Sequence, residues 1–131
     1  MAKAVHSMIR VLDLDRSMVF YRQALGLEVA DRVDFDNFVL VYLRNEESEF
    51  ELELTLNKGT TEAYDHGTAY GHFAVSVDDA HAEHARHLAA GLQPEDVKEL
   101  HHDGALLGRY FFLSDPDGYR IEVIERRGRF R

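Results

Sequence analysis

The chain has no cysteine and no tryptophan, and only two of its 131 residues are proline. Without cysteine, disulfides, iron–sulfur clusters, thiolate zinc sites and cysteine nucleophiles are excluded, and the expected compartment is the reducing cytoplasm. Positive charge is also scarce. Fifteen Lys and Arg stand against 24 Asp and Glu, a formal net charge of −9 with no basic block. That balance argues against binding through a nucleic-acid backbone or an anionic membrane surface. No apolar run approaches the roughly 20 residues of a membrane span, and the N-terminus lacks the apolar region of a secretory signal. What is present, 45% hydrophobic and 30% charged residues, is the balance of one soluble globular domain over residues 1–131. Eight histidines accompany the carboxylates, so a metal site here must be built from nitrogen and oxygen ligands.

The spacing of apolar residues predicts an α+β chain. A strand over 5–11 precedes a helix from about Asp15 to Leu25, with Leu14, Met18, Tyr21 and Leu25 on one face, Asp13 or Asp15 as cap and Gly26 as stop. Strands are expected at 27–32, 38–44 and 50–56. The polar, glycine-bearing stretch 57–71 reads as a linker or an active-site loop. A strand at 72–77 and a helix at about 79–90 follow, the helix with Ala82, Ala85, Leu88 and Ala89 as its apolar stripe, Asp78 as cap and Gly91 as stop. Strands at 93–99, 109–113 and 119–125 complete the chain, with a tight turn over Asp115-Pro116-Asp117-Gly118. Both halves therefore read βαβββ, as two tandem modules at about 4–57 and 70–126. Sequence identity between them is low, so the repeat is one of pattern.

Polar residues recur at matching places in that pattern. His6 opens the first strand of one half and His72 that of the other, while Glu53 follows His6 by 47 residues and Glu122 follows His72 by 50. Strand side chains alternate faces with period two. In the stretch 50–57 the faces separate cleanly: Phe50, Leu52, Leu54 and Leu56 point one way, and Glu51, Glu53, Thr55 and Asn57 the other. An unpaired buried carboxylate is costly, so the polar face needs solvent or a function. Two histidines and two carboxylates on one concave sheet would hold a divalent metal and leave two octahedral positions open, suiting Ni²⁺, Co²⁺, Zn²⁺ or Mn²⁺. Taken singly, each of the four reads first as a solvated or hydrogen-bonded strand residue; the repeat is what joins them into one candidate site.

Rival clusters are weaker. His81, His84 and His87 recur every three residues in the second helix but turn too far around it to converge on one ion, so they read as helix surface. His101-His102-Asp103 reads as a solvated loop. Asp115-Pro116-Asp117-Gly118 lacks the further oxygen ligands of a calcium loop. No phosphate-cradling glycine loop or nucleophile elbow is present.

Several stretches together resemble the bacterial glyoxalase I (lactoylglutathione lyase) family of the vicinal oxygen chelate superfamily. They are residues 6–11 with Leu14-Asp15-Arg16-Ser17 and Phe20-Tyr21, then Glu53-Leu54-Thr55-Leu56-Asn57, Gly67-Thr68-Ala69-Tyr70-Gly71-His72, and Asp115-Pro116-Asp117-Gly118-Tyr119 through Glu122. The resemblance spans about residues 5–126. It implies paired βαβββ modules, metal ligands at His6, Glu53, His72 and Glu122, and a base at Glu122 with Glu53 as a second catalytic carboxylate. It also implies thiol contacts from Arg10 and Asn57, with glutathione as co-substrate and Ni²⁺ or Co²⁺ preferred. A homodimer with sites shared between subunits is implied, which would also cover otherwise exposed strand edges. The implied activity is isomerisation of the methylglyoxal–glutathione hemithioacetal to S-D-lactoylglutathione. The alternatives are another metal-dependent enzyme of the superfamily, such as a thiol transferase or epimerase, or a metal-free small-molecule binding protein. One departure stands out. The family's basic loop before the penultimate strand is replaced by Asp103–Gly108 without positive charge, which leaves two expectations: Arg109 takes over that contact, or the thiol differs from glutathione.

Overall fold

The computed structural model describes all 131 residues, which divide into two compact units, Met1–His66 and Gly67–Arg131. The first runs β1 (His6–Arg10), α1 (Leu14–Leu25), β2 (Glu28–Asp34), β3 (Phe38–Asn45), β4 (Ser48–Asn57). The second runs β5 (Phe73–Val77), α2 (Ala80–Ala89), β6 (Lys98–His102), β7 (Ala105–Ser114), β8 (Arg120–Glu125). Each holds one four-stranded mixed sheet, in the orders β1-β4-β3-β2 and β5-β8-β7-β6. The first and last strands of each unit are parallel neighbours, joined right across the βαβββ path. The fold is the expected pair of repeated βαβββ modules.

In the first unit the core forms between α1 and the apolar side of the sheet: Ile9, Leu52, Leu54, Val39, Val41 and Leu43 are all buried. Helix α1 starts where the Asp13 carboxylate accepts from the Arg16 amide at 3.0 Å. It stops at Gly26 (φ 64°), whose amide donates to the Arg22 carbonyl while Leu27 N–H returns to Tyr21. That is a left-handed glycine closure, which a side chain would strain. Its buried side is Leu14, Ser17, Phe20, Tyr21 and Ala24, so the expected face is turned slightly: Leu14 and Tyr21 point in, while Met18 and Leu25 are only half-buried.

The second unit departs further from expectation. The cap of α2 is Asp79, not Asp78; its carboxylate accepts from Ala82 N–H at 3.0 Å. The expected stripe of Ala82, Ala85, Leu88 and Ala89 faces outward, with Leu88 56% exposed. The inward side is Ala80, Glu83, His84 and His87, the last fully buried. The rings of His84 and His87 each meet Phe111 edge-on at 5.3 Å. Two of the three histidines assigned to the helix surface are thus packed against the sheet, and His81 alone is exposed. The phase of α2 is set by its first turn, where Ala80 N–H donates to the Glu125 carboxylate of β8 at 3.1 Å. Hydropathy ranks alanine above histidine, but a flat imidazole against a phenylalanine edge buries more surface than a methyl.

Strand β6 begins at Lys98 rather than 93. Residues 105–108, taken for loop, form the start of β7. His101 and His102 accordingly lie in a strand that turns at Asp103-Gly104, both in the left-handed region (φ 50° and 76°). This is the Asp-Gly hairpin turn whose twist matches its strands.

Candidate metal centre

In the first unit the face opposite α1 carries His6, Met8 and Arg10 of β1, Glu51, Glu53, Thr55 and Asn57 of β4, and Leu40 and Tyr42 of β3. The register pairs Met8 with Glu53, Arg10 with Thr55 and Tyr42 with Glu53. His6 Nε2 lies 2.9 Å from Glu53 Oε2. Glu53 is 7% exposed, beside Thr55 at 8%, a depth at which an ionised carboxylate requires partners. The Tyr42 ring meets the His6 ring edge-on at 5.8 Å. Partial burial raises the Tyr42 phenol above its ordinary pKa, followed by the charges of Glu53, Asp31 and Glu51 and a hydrogen bond to Glu53. The phenol therefore stays protonated and remains a donor.

The second unit repeats this pattern. His72, immediately before β5, places Nε2 3.5 Å from Glu122 Oε2 on β8. Phe112 of β7 pairs with Glu122 in the ladder and meets the His72 ring edge-on at 5.2 Å. The Arg120 guanidinium lies 4.3 Å above the Phe112 ring.

Both pairs suit a divalent ion in their donor chemistry and spacing. Two donors each about 2.1 Å from one ion stand about 3.0 Å apart at a right angle and about 3.4 Å apart at the tetrahedral angle. The observed 2.9 and 3.5 Å fall at those two values. Imidazole with carboxylate is the ligand mix of zinc, nickel, cobalt and manganese rather than of calcium. Neither unit by itself gathers a third such ligand.

Among the residues expected to bind substrate, Arg10 is exposed two positions beyond Met8 on the same face, and Asn57 lies two beyond Thr55 with its amide 3.3 Å from the Tyr64 hydroxyl. The structure does not bring Arg109 to the His72–Glu122 face. Tyr110 and Phe112 share Glu122's side of the sheet, so alternation sends Arg109 and Phe111 to the side of α2. There Arg109 donates to Glu125 at 2.8 Å and approaches Glu99 at 3.4 Å. Glu125, by accepting from both Arg109 and the first amide of α2, ties that helix to the sheet.

Sequence reasoning missed Tyr42 and Phe112. Phe112 was within reach, because the ladder back from the Asp115–Gly118 turn is regular. Tyr42 was not. A bulge between Leu43 and Asn45 shifts the register, and counting back from the Asn45–Ser48 turn without it would set Leu40 opposite Glu53.

A family model for the Glyoxalase/Bleomycin resistance protein/Dioxygenase superfamily matches residues 3–123. The chain belongs to this superfamily. Its relatives narrow the position within it. A lactoylglutathione lyase of Haemophilus influenzae is 39% identical over 94% of this chain and 92% of that protein. One of Neisseria meningitidis is 36% identical over 95% and 91%. Among solved structures, the trypanothione-dependent glyoxalase I of Leishmania major superposes with a TM-score of 0.75 at 37% identity, covering 95% of this chain and 87% of that one. Glyoxalase I of Zea mays gives 0.82 at 30% identity, covering 96% of this chain but 45% of the longer plant chain.

Proposed function

We propose that this superfamily member is a lactoylglutathione lyase, isomerising the hemithioacetal of methylglyoxal and glutathione to S-D-lactoylglutathione. The observation that supports it is the duplicated His–Glu pair at metal-ligand spacing, His6–Glu53 and His72–Glu122, in a chain 39% identical to one such enzyme over 94% of its length. The four side chains would hold one divalent metal, Ni²⁺ or Co²⁺ by preference, with one pair from each subunit of a homodimer in the cytoplasm. A metal held by His6, Glu53, His72 and Glu122 would supply the positive charge that stabilises negative charge developing on the substrate.

The protein's own groups do the rest. The Glu122 carboxylate takes the proton from the carbon bearing sulfur; the released electron pair becomes the C–C double bond of the enediolate, and the π pair of the adjacent carbonyl moves onto its oxygen. Glu122 then returns the proton to the neighbouring carbon, and the hydroxyl proton passes from one oxygen to the other, which leaves the thioester with every atom accounted for. Glu53 remains a ligand. Arg10 and Asn57 hold the thiol moiety; Arg10 supplies positive charge that a glutathione carboxylate requires in an acidic protein.

The test is thioester absorbance from methylglyoxal plus glutathione, using protein stripped of metal and reloaded separately with Ni²⁺, Co²⁺ or Zn²⁺. Turnover with Ni²⁺ or Co²⁺ above that with Zn²⁺ is expected. If all three bind and no thioester forms with glutathione or another cellular thiol, the assignment fails.

A further inference from the structure

We propose that Tyr42 is a positioning residue whose hydroxyl anchors the Glu53 carboxylate beside His6, while Glu122, opposite Phe112, is left able to swing. The inference rests on the metal-site reading above and deepens it, because it says why one glutamate stays a ligand and the other serves as the base.

The two units present the same three-part arrangement. A histidine stands at the start of the first strand, as its first residue in one unit and just before it in the other; a glutamate stands on the parallel neighbour, and an aromatic residue lies directly across the ladder from that glutamate: Tyr42 opposite Glu53, Phe112 opposite Glu122. In both, the aromatic ring is edge-on to the histidine, at 5.8 Å and 66° in one unit and 5.2 Å and 79° in the other. The aromatic members differ by one oxygen atom. Where the phenol is present, the glutamate side chain is 10% exposed and 2.9 Å from its histidine; where it is absent, 19% exposed and 3.5 Å away. A carboxylate buried to the depth of Glu53 needs donors, and the register places a phenol directly across the strand from it to supply one. Phe112 has no donor to offer, and Arg120 above its ring turns its guanidinium to Glu95 at 3.0 Å. A hydrogen bond to a ligand carboxylate orients it and strengthens its hold on the ion. The half with the phenol is thus built to stay put, and the half without it to move a proton.

Reciprocal single-atom exchanges test this. Tyr42→Phe removes the anchor; Phe112→Tyr installs one opposite Glu122. Nickel affinity of the metal-free protein is read by competition with a chromogenic chelator, and kcat and KM are read on the nickel-loaded enzyme. Tyr42→Phe should bind nickel about 10- to 100-fold more weakly. Phe112→Tyr should bind it at least as tightly as the parent while kcat falls by about tenfold or more and KM stays nearly constant. A purely structural role for Tyr42 would not give tighter binding with slower turnover in the Phe112→Tyr protein. Unchanged nickel affinity in Tyr42→Phe, or parental kcat in Phe112→Tyr, overturns the proposal. If the parent makes no thioester at all, the functional reading falls, and the nickel affinities of the two variants still decide the role of Tyr42.

Discussion

Substitution of His87 by alanine should be among the more damaging single changes in the second unit, and substitution of Leu88 beside it among the mildest. His87 is fully buried, its ring set edge-on to Phe111 at 5.3 Å, and Phe111 is itself fully buried. Removing the imidazole forfeits an aromatic contact worth about 0.5–1.5 kcal/mol beyond its area. It also leaves a void under α2; the complete loss of a core aromatic ring costs about 3–5 kcal/mol. The imidazole is smaller than phenyl and partly polar, so a total of about 2–4 kcal/mol follows. For a chain of this length that is a fall in Tm of about 10 °C. Leu88 is 56% exposed; its truncation should move stability by no more than about 0.5 kcal/mol, with alanine favoured by helix propensity. Thermal and urea unfolding of both variants followed by circular dichroism gives the comparison. Nickel binding should survive in each, since Phe111 and Phe112 point to opposite sides of the sheet and α2 covers only the former. A larger loss from Leu88→Ala than from His87→Ala would refute the orientation of α2 and the packing argument built on it.

Glu122→Gln should keep its fold and lose about 10²–10⁴-fold in kcat with little change in KM, the contribution of a positioned base; steady-state thioester formation measures it. Arg109→Ala should cost about 1–2 kcal/mol of stability, because it removes a partner of the half-buried Glu125 that also caps α2, and should leave KM for the thiol unchanged; a raised KM would put Arg109 at the substrate after all. Alkali should destabilise the protein in a defined direction. Tyr42 and Tyr70 are both held above the ordinary tyrosine pKa, chiefly by burial, so above about pH 10 the unfolded chain releases these protons before the folded one does. Stability contributed by the two phenols is present below pH 10 and is lost as pH rises through their folded values. Unfolding free energy measured against pH should fall less steeply in the Tyr42→Phe/Tyr70→Phe protein, and tyrosinate absorbance should lose its latest-rising component.

Much of the architecture was legible because its signals are local. Asp13 and Gly26 bound α1 through side-chain and backbone geometry that involves only neighbours, and the alternation from Phe50 to Asn57 separates a core face from a polar face within eight residues. The same alternation put His6 with Met8 and Arg10, and Glu53 with the polar face of its own strand; the β1–β4 register sets both on one side, 2.9 Å apart. The shifted β6–β7 hairpin was a missed local signal: Asp103-Gly104 is a strong turn dipeptide, and reading it would have placed the turn and both strands. The inward face of α2 carried no such signal. Its sequence pattern favoured the alanine and leucine side, and the winning side holds a glutamate and two histidines.

The sequence by itself determined the repeat, the parity of each strand and the chemical kind of the site, since all three follow from spacing along the chain. Only the tertiary structure decided which residues from distant segments meet. A bulge at Leu43–Asn45 brings Tyr42 rather than Leu40 opposite Glu53, the pull of Glu125 on the first turn of α2 chooses which helix face is buried, and one step of strand alternation sends Arg109 to the helix rather than to the face that carries Glu122. Each of these is a pairing across many residues, whose energy depends on registers and contacts that no local window contains. The proposed function draws on both levels: spacing picks out the two histidines and two glutamates, and the cross-strand neighbours of those glutamates, Tyr42 and Phe112, differ by a hydroxyl.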